Sequence, residues 1–268
     1  MLKNITLGQF FPGTSIIHRL DPRTKLILTF VYVVALFLCS NFFCFGFLFI
    51  LLCLCVASSK IKLKLILRGL KPLVIVIAIT AFVNIFFTPG KTVLFSIWKL
   101  NVTVEGLYNA AAMLVRIVML ITGTFMLTYT TSPLHLTDAM ESLLGPLKRI
   151  KVPVHELSMM MSIALRFIPT LLEETDKIMG AQKARGADFE NGNIMQKAKA
   201  LLPLLIPLFV SAIRRADELA VAMESRCYNG GEGRTKMKQL KYSGIDVGAY
   251  ILGIAVLAAT IALRFIQI

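Results

Sequence analysis

Acidic side chains are scarce in this 268-residue chain: 15 aspartates and glutamates stand against 29 lysines and arginines, a net charge of +14. Charged residues of both signs make up only 16%, against about a quarter in a soluble globular domain. The three histidines share no metal-ligand spacing. His155-Glu156 opens like a zinc-protease helix, but the second histidine's place is taken by Met159. Gly90-Lys91-Thr92 ends like a phosphate-binding loop whose first glycine would fall at Ile85, and no Gly-x-Ser-x-Gly elbow occurs. Cys39, Cys44, Cys53 and Cys55 lie in apolar runs and read as free thiols acting as small hydrophobes. Cys53-x-Cys55 lacks the partner ligands of a zinc site. The basic excess is not interleaved with exposed aromatics, so nucleic acid is not an expected partner. An integral-membrane enzyme is disfavoured too, because no acid–base pair or metal cluster gathers on one side.

What is abundant is apolar: hydrophobic residues reach 56%, with a mean hydropathy of +0.74. A membrane-crossing helix takes about 20 apolar residues. Residues 26–57 are too long a run for one, and Ser40-Asn41 interrupts them, so a hairpin of two short spans is expected. A third span is read at Leu73–Phe87, a fourth at Leu107–Thr128 and a last at Val247–Phe265. The segment before the first span contains Pro12, Gly13, His18, Arg19 and Asp21, unlike a cleavable signal, so that span is expected to stay as an anchor. The expected fold is an all-α integral membrane protein with five transmembrane helices. Its parts are a four-span region at 1–131, a cytoplasmic region of two long amphipathic helices at 132–243 and a final span at 244–268.

Basic residues orient it. Lys3, Arg19, Arg23 and Lys25 precede the first span, and Lys60, Lys62, Lys64, Arg68 and Lys71 separate the second from the third. The next connection holds only Lys91 and Lys99, whereas 132–243 is rich in lysine and arginine. The positive-inside rule then puts the N-terminus and 132–243 in the cytoplasm and the C-terminus outside. Arg116 is a charge within the fourth span, explained equally by an internal partner or by a contact with another subunit.

Within 132–243 two amphipathic patterns appear. Met160, Ala164, Phe167, Leu171, Ile178 and Met179 form one apolar stripe, with a bend or fresh start at Pro169. Opposite lie Glu173, Glu174, Asp176 and Lys177. Ile206, Phe209, Ile213, Ala216, Ala220 and Met223 form the second, with Arg214, Arg215, Asp217 and Glu218 on the other faces. Pro203 and Pro207 interrupt the run Leu201–Val210, so a half-buried helix start is expected there. Ordinary core packing accounts for most stripe residues, and the two helices are expected to cover one another.

Both patterns end alike, in Ala181-Gln182-Lys183-Ala184-Arg185-Gly186 and in Ala222-Met223-Glu224-Ser225-Arg226-Cys227. A basic residue followed by a left-handed glycine is a common helix ending, which Gly186 fits, and Gly230-Gly231 would end the second helix a turn later. The repetition asks for more. Small neighbours permit close backbone approach, and a guanidinium offers a planar fork of donors to carboxylates or backbone carbonyls. Two arginine-tipped helices suit plugging into a partner better than catalysis.

The N-terminal segment Pro12-Gly13-Thr14-Ser15-Ile16-Ile17-His18-Arg19-Leu20-Asp21-Pro22-Arg23-Thr24-Lys25 resembles the opening of the transmembrane T component of energy-coupling factor (ECF) transporters. So do Ala184-Arg185-Gly186-Ala187-Asp188-Phe189 and the stretch from Tyr228 to Lys236. The resemblance implies a non-catalytic coupling subunit of a bacterial plasma membrane, assembled with two ATP-hydrolysing cassette subunits and a small S subunit that binds a vitamin or a metal. ATP and magnesium would bind the cassettes, and this chain would hold no cofactor. It also implies that Ala184, Arg185 and Gly186 dock on one ATPase and Ser225, Arg226 and Cys227 on the other. The family's second motif is usually Ala-Arg-Gly; with Cys227 in the glycine's place, a less sharp helix end is expected. A conventional ABC permease that forms the substrate path itself is the alternative.

Overall fold

The computed structural model describes residues 10–39, 41–88, 92–97, 100–187, 189, 193–231 and 239–265. Lys3, Ser40, Gly90, Lys91, Lys99, Asp188 and residues 232–236 of the sequence motifs lie outside them. The chain divides into two compact units, one comprising Gly8–Ala139 and Leu240–Ile268, the other Met140–Gln239.

The first unit is a helical membrane body. After a short α1 (Ile16–Arg19) come α2 (Pro22–Leu38), α3 (Phe42–Ser59), α4 (Leu63–Leu70) and α5 (Val74–Phe87). A short hairpin, β1 (Val93–Ile97) against β2 (Leu100–Thr103), leads into α6 (Val104–Thr130). Helix α7 (Pro133–Leu144) crosses the division between the units, and α10 (Gly244–Phe265) returns the chain to the first. The spans Phe42–Ser59, Leu63–Phe87, Val104–Thr130 and Gly244–Arg264 are long and apolar enough to cross a membrane. With 17 residues, α2 sits at the lower end of the spanning range. The fold is therefore all-α and membrane-embedded, with the hairpin as its one described β element.

The third span differs from the sequence expectation. Its helix starts at Leu63 rather than Leu73, because α4 continues through one 3₁₀ turn at Lys71–Leu73 into α5. Lys64, Arg68 and Lys71 consequently ride on the helix instead of lying in a loop. The cysteine reading is corrected as well. The tight α2–α3 turn brings the Cα atoms of Cys39 and Cys44 to 5.7 Å, within disulfide reach, and the two sulfurs are bonded. Cys53, Cys55 and Cys227 are free.

Lipid-facing helices cannot use hydrophobicity to find one another, so close packing and polar contacts fix this body. Helix α2 packs on both α6 and α10. A Cβ at Gly123 would stand 2.5 Å from the Tyr32 ring, and one at Gly253 2.5 Å from Leu28. The core comprises Ala35, Leu36, Leu48 and Met119, all within 1% of full burial, together with neighbours such as Phe45 and Val256. Arg116 receives an internal explanation: its guanidinium donates to the Cys39 carbonyl at 2.9 Å and lies over Phe45, satisfying the end of α2.

The N-terminal motif builds a buried polar latch. Asp21 caps α2 by accepting from the Arg23 amide at 2.9 Å, while its own amide donates to Asp246 at 2.9 Å. Asp246 also accepts from the amide and hydroxyl of Ser243, closing the start of α10. Lys25 donates to the carbonyls of His18 and Thr130, and Arg23 stacks on Tyr242 with 4.0 Å to the ring centroid. One patch of short contacts thus ties α1, α2, α6 and α10 together.

Candidate functional site

The second unit holds two helices of 31 residues each, α8 (Val154–Ala184) and α9 (Ile194–Glu224), packed on each other. Of the sequence expectations at the prolines, a fresh helix start is not found at Pro169, and α9 starts earlier than the stretch at Pro203 and Pro207 suggested. Pro169 lies inside a continuous α8, and α9 begins nine residues before Pro203 and runs on through Pro207. A proline removes one amide donor, and a long helix tolerates the local kink when the surrounding turns stay bonded.

Each helix ends on its arginine. In α8, Arg185 is the capping residue, Gly186 follows with φ +87°, and two amides reach back: Gly186 to Lys183 at 3.0 Å and Ala187 to Gln182 at 3.0 Å. That pairing is a Schellman motif. In α9 the same pairing recurs, from Cys227 to Glu224 at 2.9 Å and from Tyr228 to Met223 at 3.1 Å, with Cys227 at φ +57°. The expected softer ending is corrected here: Cys227 itself takes the left-handed position, and Gly230 is not needed to stop the helix. Ala184, Arg185, Gly186, Ser225, Arg226 and Cys227 are all exposed. Neither arginine side chain has a hydrogen-bond or ion-pair partner among the described residues. Because the Schellman bonds are backbone-only, both guanidinium groups stay available to something outside the chain.

A left-handed backbone costs a residue with a Cβ about 1–2 kcal/mol relative to glycine. No atom lies within 4 Å of a Cβ added at Gly186, so the substitution isolates that conformational term. Gly186→Ala should destabilise the end of α8 by about 1 kcal/mol, and Cys227→Gly should stabilise the end of α9 by about as much. Hydrogen exchange of the amides of residues 186–187 and 227–228 reads both changes. Equal protection in wild type and variants would mean that the left-handed positions carry no strain.

Sequence periodicity puts Glu174 and Arg215 on solvated faces, and the structure joins them. Glu174 of α8 accepts from Ser211 Oγ at 2.5 Å and from the Arg215 guanidinium at 2.8 Å, both on α9. These two hydrogen bonds hold the Glu174 carboxyl below its ordinary pKa. Glu174 stands eleven residues before Arg185, and Arg215 eleven before Arg226. At 1.5 Å per residue, each arginine therefore sits about 16 Å beyond the clamp. That equal offset was the signal in the sequence, and only a known crossing point gives it meaning.

The stripes behave unequally. In α8, Met160 and Ala164 are exposed but Phe167, Leu171, Ile178 and Met179 are partly buried, whereas Ile206, Phe209 and Ile213 of α9 remain 64%, 67% and 47% exposed. Core packing, expected for both stripes, does not account for the second. An apolar face of this size on one helix marks a surface that another molecule covers. His155 is structural: its Nδ1 lies 3.0 Å from a Glu141 carboxylate oxygen, and Gly231 leaves room for its ring. Among the described residues no group of three potential ligands could hold a metal ion.

Comparison with known proteins places this geometry. Residues 13–237 match the CbiQ family, described as a cobalt transport protein. The chain is 53% identical over 265 residues to the energy-coupling factor transporter transmembrane protein EcfT of Thermosediminibacter oceani, covering 99% of this chain and 100% of that one. It is 52% identical over 260 residues to EcfT of Ruminiclostridium cellulolyticum, covering 97% and 96% respectively. For EcfT of Bacillus subtilis the figure is 47% over 259 residues, covering 97% of each. With likeness along the whole length and an all-α membrane body carrying two arginine-ended helices, the chain belongs to the family of transmembrane T components of energy-coupling factor transporters.

Proposed function

We propose that this chain is the coupling subunit that docks two ATPase subunits through Arg185 and Arg226 and passes their motion to a membrane-embedded, substrate-binding S subunit. The observation that carries the reading is the repeated helix end: two caps with the same backbone pairing, each presenting an exposed arginine without a partner among the described residues. Each arginine meets an acidic or carbonyl-lined groove on one ATPase, flanked by Ala184 and Gly186 or by Ser225 and Cys227, whose small side chains let the backbones approach. ATP and magnesium bind the ATPases, and this subunit performs no chemistry.

Closure of the ATPase pair moves the two tips relative to each other. The Glu174 clamp lies equally far from both, so α8 and α9 act as two arms of similar length about one crossing. The exposed α9 stripe around Ile206, Phe209 and Ile213 is the face on which the S subunit sits and responds. The N-terminus and the α8–α9 unit lie in the cytoplasm, and α10 ends outside the plasma membrane.

Affinity purification of the full chain from mild detergent, with mass spectrometry of its companions, tests this. Two ATPase cassettes and one or more small membrane proteins are the expected companions. Two copies of this chain with a bound substrate would instead indicate a conventional permease, and a chain that arrives alone would overturn the reading.

A further inference from the structure

Coupling makes no use of two features of the membrane body, the Pro12–His18 part of the N-terminal motif and the dense basic connection after α3. They face each other across a cavity of about 560 Å³. One wall is the loop from Phe11 to Ser15, and the other carries Lys60, Lys62, Lys64 and Arg68. No carboxylate lines the cavity, and none of these four cations has a partner among the described residues. The walls are built in place rather than draped. The Phe11 amide donates to the Tyr129 carbonyl at 3.0 Å. The His18 ring bridges the Ser15 hydroxyl at 2.6 Å and the Phe11 carbonyl at 3.1 Å. Gly13 lies flat against that ring, where a Cβ would come within 2.8 Å. Opposite, Lys60 takes a left-handed backbone with φ 58°, an uncommon conformation for a residue with a side chain.

Orientation in the membrane requires only that positive charges lie on one side of it. It does not require four of them around one cavity, against a preorganised loop. Self-repulsion among unpaired cations makes such a pocket a site for an anion, and lysine with arginine around a roomy recess suits the several oxygens of a phosphate group. The lining is apolar in part, with Phe11, Ile61 and Leu65 among the cations, and further along α4 Leu63 and Leu67 are 63% and 58% exposed. Apolar residues beside a basic recess match a molecule that is charged at one end and oily at the other.

We propose that this cavity binds the phosphate of an anionic phospholipid headgroup, with the acyl chains leaving past Ile61 and Leu65 and along the exposed apolar side of α4. Free phosphate shares the headgroup's chemistry but gains nothing from those apolar residues.

The test uses the full chain, delipidated in detergent and titrated with dioleoyl phosphatidylglycerol, with dioleoyl phosphatidylcholine or with inorganic phosphate, bound molecules being counted by native mass spectrometry. Two triple variants carry the same charge change: Lys62→Gln/Lys64→Gln/Arg68→Gln in the cavity and Lys148→Gln/Arg149→Gln/Lys151→Gln in the other unit. Helical content and thermal unfolding of both are checked against wild type. The cavity variant should bind phosphatidylglycerol about tenfold more weakly, with the control close to wild type and phosphatidylcholine weak throughout. Phosphate that occupies the site as a free ion and displaces the lipid would keep the phosphate assignment and reassign its source. Equal phosphatidylglycerol binding by all three proteins, or equal loss in both variants, would overturn the proposal.

Discussion

Arg185→Glu/Arg226→Glu should yield a folded membrane protein that has lost its ATPases. The Schellman bonds that end α8 and α9 involve only backbone atoms, so helicity and thermal unfolding should match wild type. Docking is another matter. A guanidinium seated in a partner's groove is the kind of residue that dominates an interface, and losing one costs about 2 kcal/mol or more, roughly thirtyfold in affinity. Charge reversal adds repulsion against a groove arranged for a cation. The expected outcome is loss of both cassettes on purification and uptake falling to background. Each single variant should loosen assembly less than the double. Arg185→Lys/Arg226→Lys should fall in between, because a lysine keeps the charge and loses the planar fork. A double glutamate variant that retains its cassettes and its uptake would sink the docking assignment of both motifs.

Asp246→Ala should unfold the membrane body at a markedly lower temperature while leaving the helix-end arginines untouched. Asp246 is 1% exposed and accepts three hydrogen bonds: 2.9 Å from the Asp21 amide, 2.7 Å from the Ser243 amide and 2.8 Å from the Ser243 hydroxyl. Alanine strands those donors in a site with little water, at about 1–3 kcal/mol for each buried group left unsatisfied. Lys25, held nearby by two carbonyls, also loses a neighbouring negative charge. A total of about 3–4 kcal/mol is expected, some of it restored in Asp246→Asn, which keeps one acceptor oxygen. Thermal unfolding of the purified chain in detergent reads the loss directly. An unchanged midpoint would show that the latch contributes nothing and that α2 and α10 are held by apolar packing alone.

The parts of this protein that follow from local rules were legible in its sequence. Apolar runs of spanning length located the membrane helices to within a few residues, except where α4 hides behind Lys64 and Arg68. Amphipathic helices carry such charges readily at a membrane surface, so a basic stretch need not be a loop. Cys227 departs from its local preference for a related reason. The residue disfavours a left-handed backbone, but two backbone hydrogen bonds and an unobstructed exposed position carry it there. The prolines at 203 and 207 mislead in the same way, since a local preference was set against a 31-residue helix and lost.

By itself, then, the sequence determined the class, the membrane setting and the two arginine-ended helices, because spanning length, charge placement and helix endings are encoded within a few turns of chain. Only the tertiary structure decided which residues meet. The Asp21–Asp246 latch joins positions 225 residues apart, the α8–α9 clamp joins 174 to 211 and 215, and the basic cavity joins the N-terminal loop to the turn after α3. Such pairings depend on how separate helices cross, and helix spacing along the chain carries no record of that.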